Sequence, residues 1–337
     1  MSRSPRVRSP RVSRRARVTA LLLLAGTAAI AAFAAVHAST ARAGASCGTA
    51  SASTVGAVDA TVTADIYRNE LAGTEVTADL AHITGAADLV RAVAADNRAA
   101  TLKAVSRIVF HPHWHIVRLR ALDAKGRLLA DVGGPYVVAP VTGVLRSGGH
   151  AVGNFVMSVQ DDAGVTKLES RFVGDPIGIY AHGALVAGLG AAVPSTLPSG
   201  STVRLAGVPF RSLAQGFTAF PGGIVSGVIF VPPLPGSLTT EPCASVRAQE
   251  FGRVAARLAR LASALPAHYY AYAATVRIFT GAEVFVRRGS SQLASTDGGG
   301  PPLLPSSGAI TYQGVSWLVS SFEPRPYTRV YVLVPPG

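Results

Sequence analysis

Charge is scarce in this sequence. Only 15% of the 337 residues are Asp, Glu, Lys or Arg, against 49% apolar, which excludes a disordered or fibrous chain and leaves ample material for a buried core. Glycine (35) and proline (22) stay below a low-complexity composition and describe a globular chain rich in turns. Lysine occurs three times (Lys103, Lys125, Lys167) against 28 arginines, a codon-usage bias without binding meaning. Catalytic signatures are missing too: there is no Gly-x-Ser-x-Gly elbow, no His-Glu-x-x-His, no phosphate loop and no dinucleotide fingerprint. The expectation is a protein that is not an enzyme, with no cofactor and no metal.

The formal net charge of +13 suggests a polyanionic partner only if it is spread over the fold. It is not. Residues 1–43 hold eight arginines (Arg3, Arg6, Arg8, Arg11, Arg14, Arg15, Arg17, Arg42) and no acid, so no nucleic-acid partner is expected. Seven of those arginines precede an uncharged run from Val18 to Val36, and Ala41-Arg42-Ala43 offers a small-x-small cleavage site. Residues 1–43 therefore read as a signal peptide or an N-terminal membrane anchor that contacts the membrane before or without cleavage, followed by a Ser/Thr/Ala/Gly linker over 44–54. In either case the rest of the chain is expected outside the cytoplasm, secreted or held at the membrane by its N-terminal helix.

Export places the only two cysteines, Cys47 and Cys243, where disulfides persist, and one pairing exists. The alternatives are two unpaired thiols, or lipidation of Cys47, against which Gly44-Ala45-Ser46 lacks the expected aliphatic residue.

Val55, Val58, Val62 and Ile66 recur at helical spacing, and a second helix is expected through Leu89, Val93, Leu102, Val105 and Val109, ending at His111-Pro112. From His115 the period changes to two, with a hairpin turn at Asp123-Ala124-Lys125-Gly126. Strands are expected over Val165–Val173, with Asp161-Asp162-Ala163-Gly164 as the preceding hairpin turn, and over Val276–Phe279. A third helix carries Val254, Leu258, Leu261 and Leu265 on one face and closes at Pro266; its Arg253, Arg257 and Arg260 read as a solvated face.

The chain also repeats itself. Leu197-Pro198-Ser199 with Gly207-Val208 recurs 107 residues later as Leu304-Pro305-Ser306 with Gly314-Val315, each followed by an aromatic, Phe210 and Trp317. Val231-Pro232-Pro233 returns as Val334-Pro335-Pro336, and Asp131-Val132-Gly133-Gly134-Pro135 returns as Asp297-Gly298-Gly299-Gly300-Pro301. A duplicated module follows, with 59 extra residues in the first copy. The expected fold class is α+β, two PAS-like modules over 55–235 and 243–337, each an antiparallel sheet packed with a long helix.

At HIVRLRALDAKGRLLADVGGP and NFVMSVQDDAGVTKLESRFVGDPIGIYAHG the chain resembles the Cache family of extracellular sensor domains, often found in pairs. The resemblance implies ligand sensing. The arginine-aromatic amino-acid motif of many double-Cache receptors has no match here, so amino-acid recognition is not carried over.

Within His111-Pro112-His113-Trp114-His115, strand parity turns His113 and His115 toward the apolar face of the sheet, but two imidazoles lack a third metal ligand. Tyr136 follows the Gly-Gly-Pro turn, and Arg171 on the expected strand reaches either solvent or the pocket mouth. His113, His115, Tyr136 and Arg171 are the candidate ligand-binding set, suited to a small carboxylate. The expected function is an exported, non-catalytic sensor or binding protein acting through a separate membrane partner. The alternative is a structural envelope protein that binds wall polymer or another protein.

Overall fold

The structure, a computed structural model, describes residues 46–190, 192–261 and 268–335. The expected leader, Leu265 and Pro266 lie outside the described residues. Among the described residues no helix is long and apolar enough to cross a membrane.

Helix α1 (Ser51–Ala72) buries Val55, Val58, Val62 and Ile66, as the spacing predicts. Three shorter helices follow, α2 (Thr74–Gly85), α3 (Ala87–Ala94) and α4 (Arg98–Val109). The single helix expected from Leu89 to Val109 is therefore broken. Asp96 takes φ +54, and the Asn97 side chain caps α4 by accepting from the Ala100 amide at 3.0 Å. Asp and Asn are the residues that tolerate the left-handed region and satisfy the first amides of a helix.

Strands β1 (Arg118–Asp123), β2 (Leu128–Gly133), β4 (Val141–Ser147) and β5 (His150–Ser158) form an antiparallel sheet in the order β2-β1-β5-β4. Leu119, Ala121, Phe155 and Met157 pack there with Leu89, Val105 and Ile108. The short β3 (Val137–Val138) leaves this sheet and pairs with β6 (Gln160–Asp161).

The strand expected over Val165–Val173 is a helix, α5 (Asp162–Phe172). Asp161 is its N-cap, accepting from the Gly164 amide at 2.6 Å, so Asp-x-x-Gly starts a helix here and is not a hairpin turn. Its buried residues, Val165, Thr166, Glu169 and Phe172, recur at three- and four-residue spacing; the polar Thr166 and Glu169 hide the stripe from a hydrophobicity reading.

Two five-stranded antiparallel sheets follow. The first contains β7 (Ile177–Ala181), β8 (Ala184–Leu189), β9 (Thr202–Leu205), β10 (Val208–Thr218) and β11 (Ile224–Val231) in the order β8-β7-β11-β10-β9. A one-turn helix, α6 (Gly236–Thr240), then leads to α7 (Cys243–Leu261) and α8 (Tyr269–Thr280). The second sheet contains β12 (Glu283–Arg288), β13 (Ser291–Ser295), β14 (Ser307–Tyr312), β15 (Val315–Arg325) and β16 (Thr328–Val334) in the order β13-β12-β16-β15-β14. The strand expected over Val276–Phe279 lies in α8, whose buried Tyr269, Tyr272, Ala273, Val276, Phe279 and Thr280 follow a helical period; its aromatic and β-branched composition imitates a strand.

The protein is α+β, with two PAS-like modules of identical strand order. The repeats at Leu197 and Leu304, Gly207 and Gly314, and Val231 and Val334 fall at equivalent places. Ala206-Gly207 and Gln313-Gly314 have φ of +49 and +83, and of +53 and +76, the two left-handed residues that a tight hairpin requires. The preceding four-stranded sheet has the same order, less one strand. Residues 131–135 end β2 of that four-stranded sheet, whereas residues 297–301 follow β13 of the last sheet; with β7 and β12 equivalent, the expected insertion of 59 residues in the first copy does not stand.

One apolar core joins α1, α7 and α8 to both five-stranded sheets through Val58, Val62, Ile177, Val254, Val276, Val284 and Val332. The bond between Cys47 and Cys243 ties the start of α7 to the chain just ahead of α1, across 196 residues.

Candidate functional site

The four residues singled out from the sequence do not converge. The strand expected from His115 begins at Arg118, so His113 and His115 lie in the connection after α4 and are both exposed. His115 pairs with Glu75 of α2 through Nδ1. Tyr136 is 45% exposed, and its carbonyl accepts from the Asp162 amide at 2.9 Å. Arg171 sits exposed on the last turn of α5. No hydrogen bond, ion pair or ring contact among the described residues joins any two of the four.

The histidine-rich segment is organised by its tryptophan. The Trp114 ring stacks on His111 at 4.0 Å and on His82 at 4.5 Å, both nearly parallel. Among the described residues no group of three His, Cys, Asp or Glu side chains is arranged to hold a metal ion.

A second cluster was not legible in the sequence. Asp59 of α1 is fully buried, and Oδ1 accepts from Arg253 Nη2 of α7 at 3.5 Å. Arg253 also pairs with Glu250, and Asp175, in the connection from α5 to β7, lies in the same electrostatic neighbourhood. Burial pushes the Asp59 carboxyl up to about 10, helped by repulsion from Glu250 and Asp175 and opposed by Arg253. Burial likewise lifts Asp175 to about 6, against the pull of Arg253. Oδ2 of Asp59 and of Asp175 are buried without a hydrogen-bond partner. One turn along α1 from Asp59, Thr63 opposes Glu169 of α5, whose carboxyl burial also pushes well up. Of the α7 face expected to be solvated, Arg253 joins this cluster and Arg257 Nη2 donates to the Ser170 carbonyl at 3.1 Å, while the Arg260 side chain lies outside the described residues. Asp59, Asp175 and Glu250 are buried while the Arg253 side chain is 37% exposed, so the cluster can hold charge and protons at the margin of the helix layer.

Among the described residues, a groove of about 300 Å³ lies where α1 meets the first five-stranded sheet. Ala52 contributes one wall, Thr202, Pro209 and Phe210 another, and Val231-Pro232-Pro233 close the end. Proline has no N–H, so three of the lining positions add no backbone donor, while Ser201 and Thr202 keep part of the wall polar. The charge in this lining is Arg211 of β10. Its Nη1 donates to Ser53 Oγ at 2.7 Å, while Nε is buried without a partner.

Strand register shows that the fold does not require this arginine. Arg211 stands opposite Val231, and in the second module Leu318 stands opposite Val334 in the same position. A guanidinium thus replaces an aliphatic side chain in one copy alone. The 107-residue offset already aligns Arg211 with Leu318, so the signal was present in the sequence.

No family model matches the chain, and no curated protein does. Among solved structures it is similar to the periplasmic domain of LuxQ from Vibrio cholerae, with 12% identity, coverage of 85% of this chain and 98% of that one, and a TM-score of 0.15. It is also similar to an extracellular ligand binding receptor from Desulfohalobium retbaense, with 12% identity, coverage of 77% of this chain and 39% of that one, and a TM-score of 0.14. Likeness at this level carries no inference about fold or function.

Proposed function

We propose that this chain is an exported, non-catalytic binding protein of the kind found in extracellular sensing, with a small apolar carboxylate as its ligand and a separate membrane protein as its output. The observation that carries the reading is Arg211, the one charged side chain in the lining of a groove walled by Pro209, Phe210, Val231 and Pro232 with Ser201 and Thr202 beside them. A cleft with apolar walls and a few placed polar groups is the usual construction of a small-molecule site, and guanidinium matches carboxylate in shape and charge. Export is supported by the arginine-then-apolar leader and by the Cys47–Cys243 bond, which persists in oxidising compartments. The Cache resemblance and the module boundaries at 55–235 and 243–337 belong to the same proposal.

A ligand bound by the native state raises thermal stability by mass action. The test is a thermal-shift series with hexanoate and phenylacetate, and hexanol as the neutral control. The carboxylates are expected to raise the midpoint, hexanol to leave it unchanged, and Arg211→Leu, which copies the second module, to abolish the response without loss of intrinsic stability. Silence toward both acids, or an equal response from Arg211→Leu, removes the groove as the site. For location, a phosphatase fused after Gly337 is expected to be active; an inactive fusion contradicts export.

A further inference from the structure

The helices that lead into the two five-stranded sheets, α5 and α8, are counterparts. Ile177 of β7 stands opposite Ile229 of β11, and Val284 of β12 stands opposite Val332 of β16, so the 107-residue offset of the repeats also carries α5 onto α8. Gly174 and Gly281 fall at the same place after the two helices, with φ of +92 and +65. On this alignment the buried Thr166, Glu169 and Asp175 of the first copy correspond to Ala273, Val276 and Ala282 of the second, which are buried too. An apolar joint between helix and sheet therefore satisfies the fold. The first copy puts a hydroxyl and two carboxyls in its place.

These groups meet further charge on α1 and α7. Glu169 faces Thr63 of α1, yet Glu169 Oε2 and Thr63 Oγ1 are both buried without a hydrogen-bond partner. Asp175 shares its surroundings with Asp59 of α1 and with Glu250, Arg253 and Arg257 of α7. Arg253 Nε donates to Glu250 Oε1 at 2.7 Å, and Arg257 donates from Nη2 and Nε to the Ser170 and Arg171 carbonyls at the end of α5. Four buried carboxyls, on Asp59, Glu169, Asp175 and Glu250, thus line one seam with two guanidiniums, and Arg257 is turned to the α5 backbone. If all four ionise, negative charge exceeds positive in a low-dielectric layer, which is costly. The partly exposed Arg253 side chain marks where water and protons reach the seam.

We infer that the seam joining α1, α5 and α7 is a proton-controlled joint, closed while its carboxyls hold protons and opening at the Gly174–Asp175 connection as the medium turns alkaline and they ionise. Asp175 is the group that acts first. Burial lifts it to about 6, with repulsion from Glu250 adding and the pull of Arg253 and Arg257 opposing. Because that value lies above the ordinary 3.8, the closed joint holds the proton more tightly than an open form in which Asp175 meets water, so a rise in pH through about 6 shifts the population toward the open form. The difference limits the bias from Asp175 to roughly a hundredfold in the closed-to-open ratio. Asp59, at about 10, stays protonated through this step. The joint needs no ligand in the Arg211 groove.

The test is native-state hydrogen exchange of the exported protein between about pH 5 and about pH 8, with each rate divided by the intrinsic amide rate at that pH. Protection at the end of α5, in the connection through Asp175 and in the facing turns of α7 is expected to fall about tenfold or more, within the hundredfold limit, while β1 and β5 of the four-stranded sheet keep theirs. Asp175→Asn keeps the shape without the charge, and Asp175→Ala copies the second module; both are expected to hold their protection at about pH 8. Arg211→Leu is expected to respond to pH as the wild type does, which separates the joint from the groove. Protection that does not change with pH, an equal fall in both Asp175 variants, or an equal fall in β1 and β5, the mark of a global loss of stability, each overturns the inference.

Discussion

Asp59 and Arg253 lie 194 residues apart in the chain and meet at 3.5 Å between α1 and α7, with the aspartate carboxyl wholly buried. Three carboxylates, from Asp59, Asp175 and Glu250, share this region with Arg253. Charge inside a low-dielectric layer is costly unless it is neutralised, and protonation of Asp59 does that.

A pH dependence follows from these shifts. Asp59 and Asp175 are raised above an unfolded value of 3.8, so the native state binds protons more tightly than the unfolded chain. Their contribution is fully present below about pH 4 and is lost as pH rises, through about 6 for Asp175 and about 10 for Asp59. Asp59→Asn keeps the shape and cannot ionise. Its urea midpoint is expected to exceed that of the wild type by a margin that grows between pH 5 and pH 9; a margin independent of pH contradicts the assignment.

Removing the Cys47–Cys243 bond is expected to be severe. It closes a loop of 196 residues, for which the chain-entropy account gives about 5 kcal/mol, and native disulfides removed from small secreted domains typically cost roughly 2 to 5 kcal/mol. Denaturant titration of Cys47→Ala/Cys243→Ala against the wild type measures it. A loss below about 1 kcal/mol would show that the surrounding contacts, including Cys47 N–H to the Glu241 carbonyl, hold this region without the bond.

Gly143 of β4 has no room for a side chain. A Cβ there would meet the Phe155 ring at 2.1 Å, and that ring is fully buried. Gly143→Ala is expected to destabilise by about 1 to 3 kcal/mol through overpacking, read as a lowered melting temperature. Pairing it with Phe155→Leu, which shortens the ring, should recover part of the loss; strict additivity of the two changes would exclude the clash.

His115 and Arg171 bear on the expected site in a simpler way. The His115 side chain is 74% exposed and its partner Glu75 is 49% exposed, so the pair is worth about 1 kcal/mol or less. Arg171 is also exposed. His115→Ala and Arg171→Ala are expected to leave the melting temperature of the unliganded protein nearly unchanged. A large drop in either would assign that side chain a structural role.

Much of the architecture is legible from local pattern. The Val55-Val58-Val62-Ile66 stripe gives α1 because a helical period puts those residues on one face, and the Leu197 and Leu304 repeats locate two matching hairpins because a tight turn demands left-handed residues at fixed places. Local pattern fails where side-chain chemistry and period disagree. In α5, Thr166 and Glu169 occupy buried positions, and in α8 the aromatic residues read as strand.

The sequence by itself determined the α+β class, the duplicated hairpins, the basic-then-apolar pattern of the first residues and the existence of a single cysteine pairing, because each depends on composition or on residues near one another along the chain. Only the tertiary structure decided which charges meet. Asp59, Asp175 and Arg253 come from three separate elements, and Arg211 gains its groove from α1, β9, β10 and the end of β11. Those neighbours are set by how helices and sheets pack, a long-range outcome that no local period encodes.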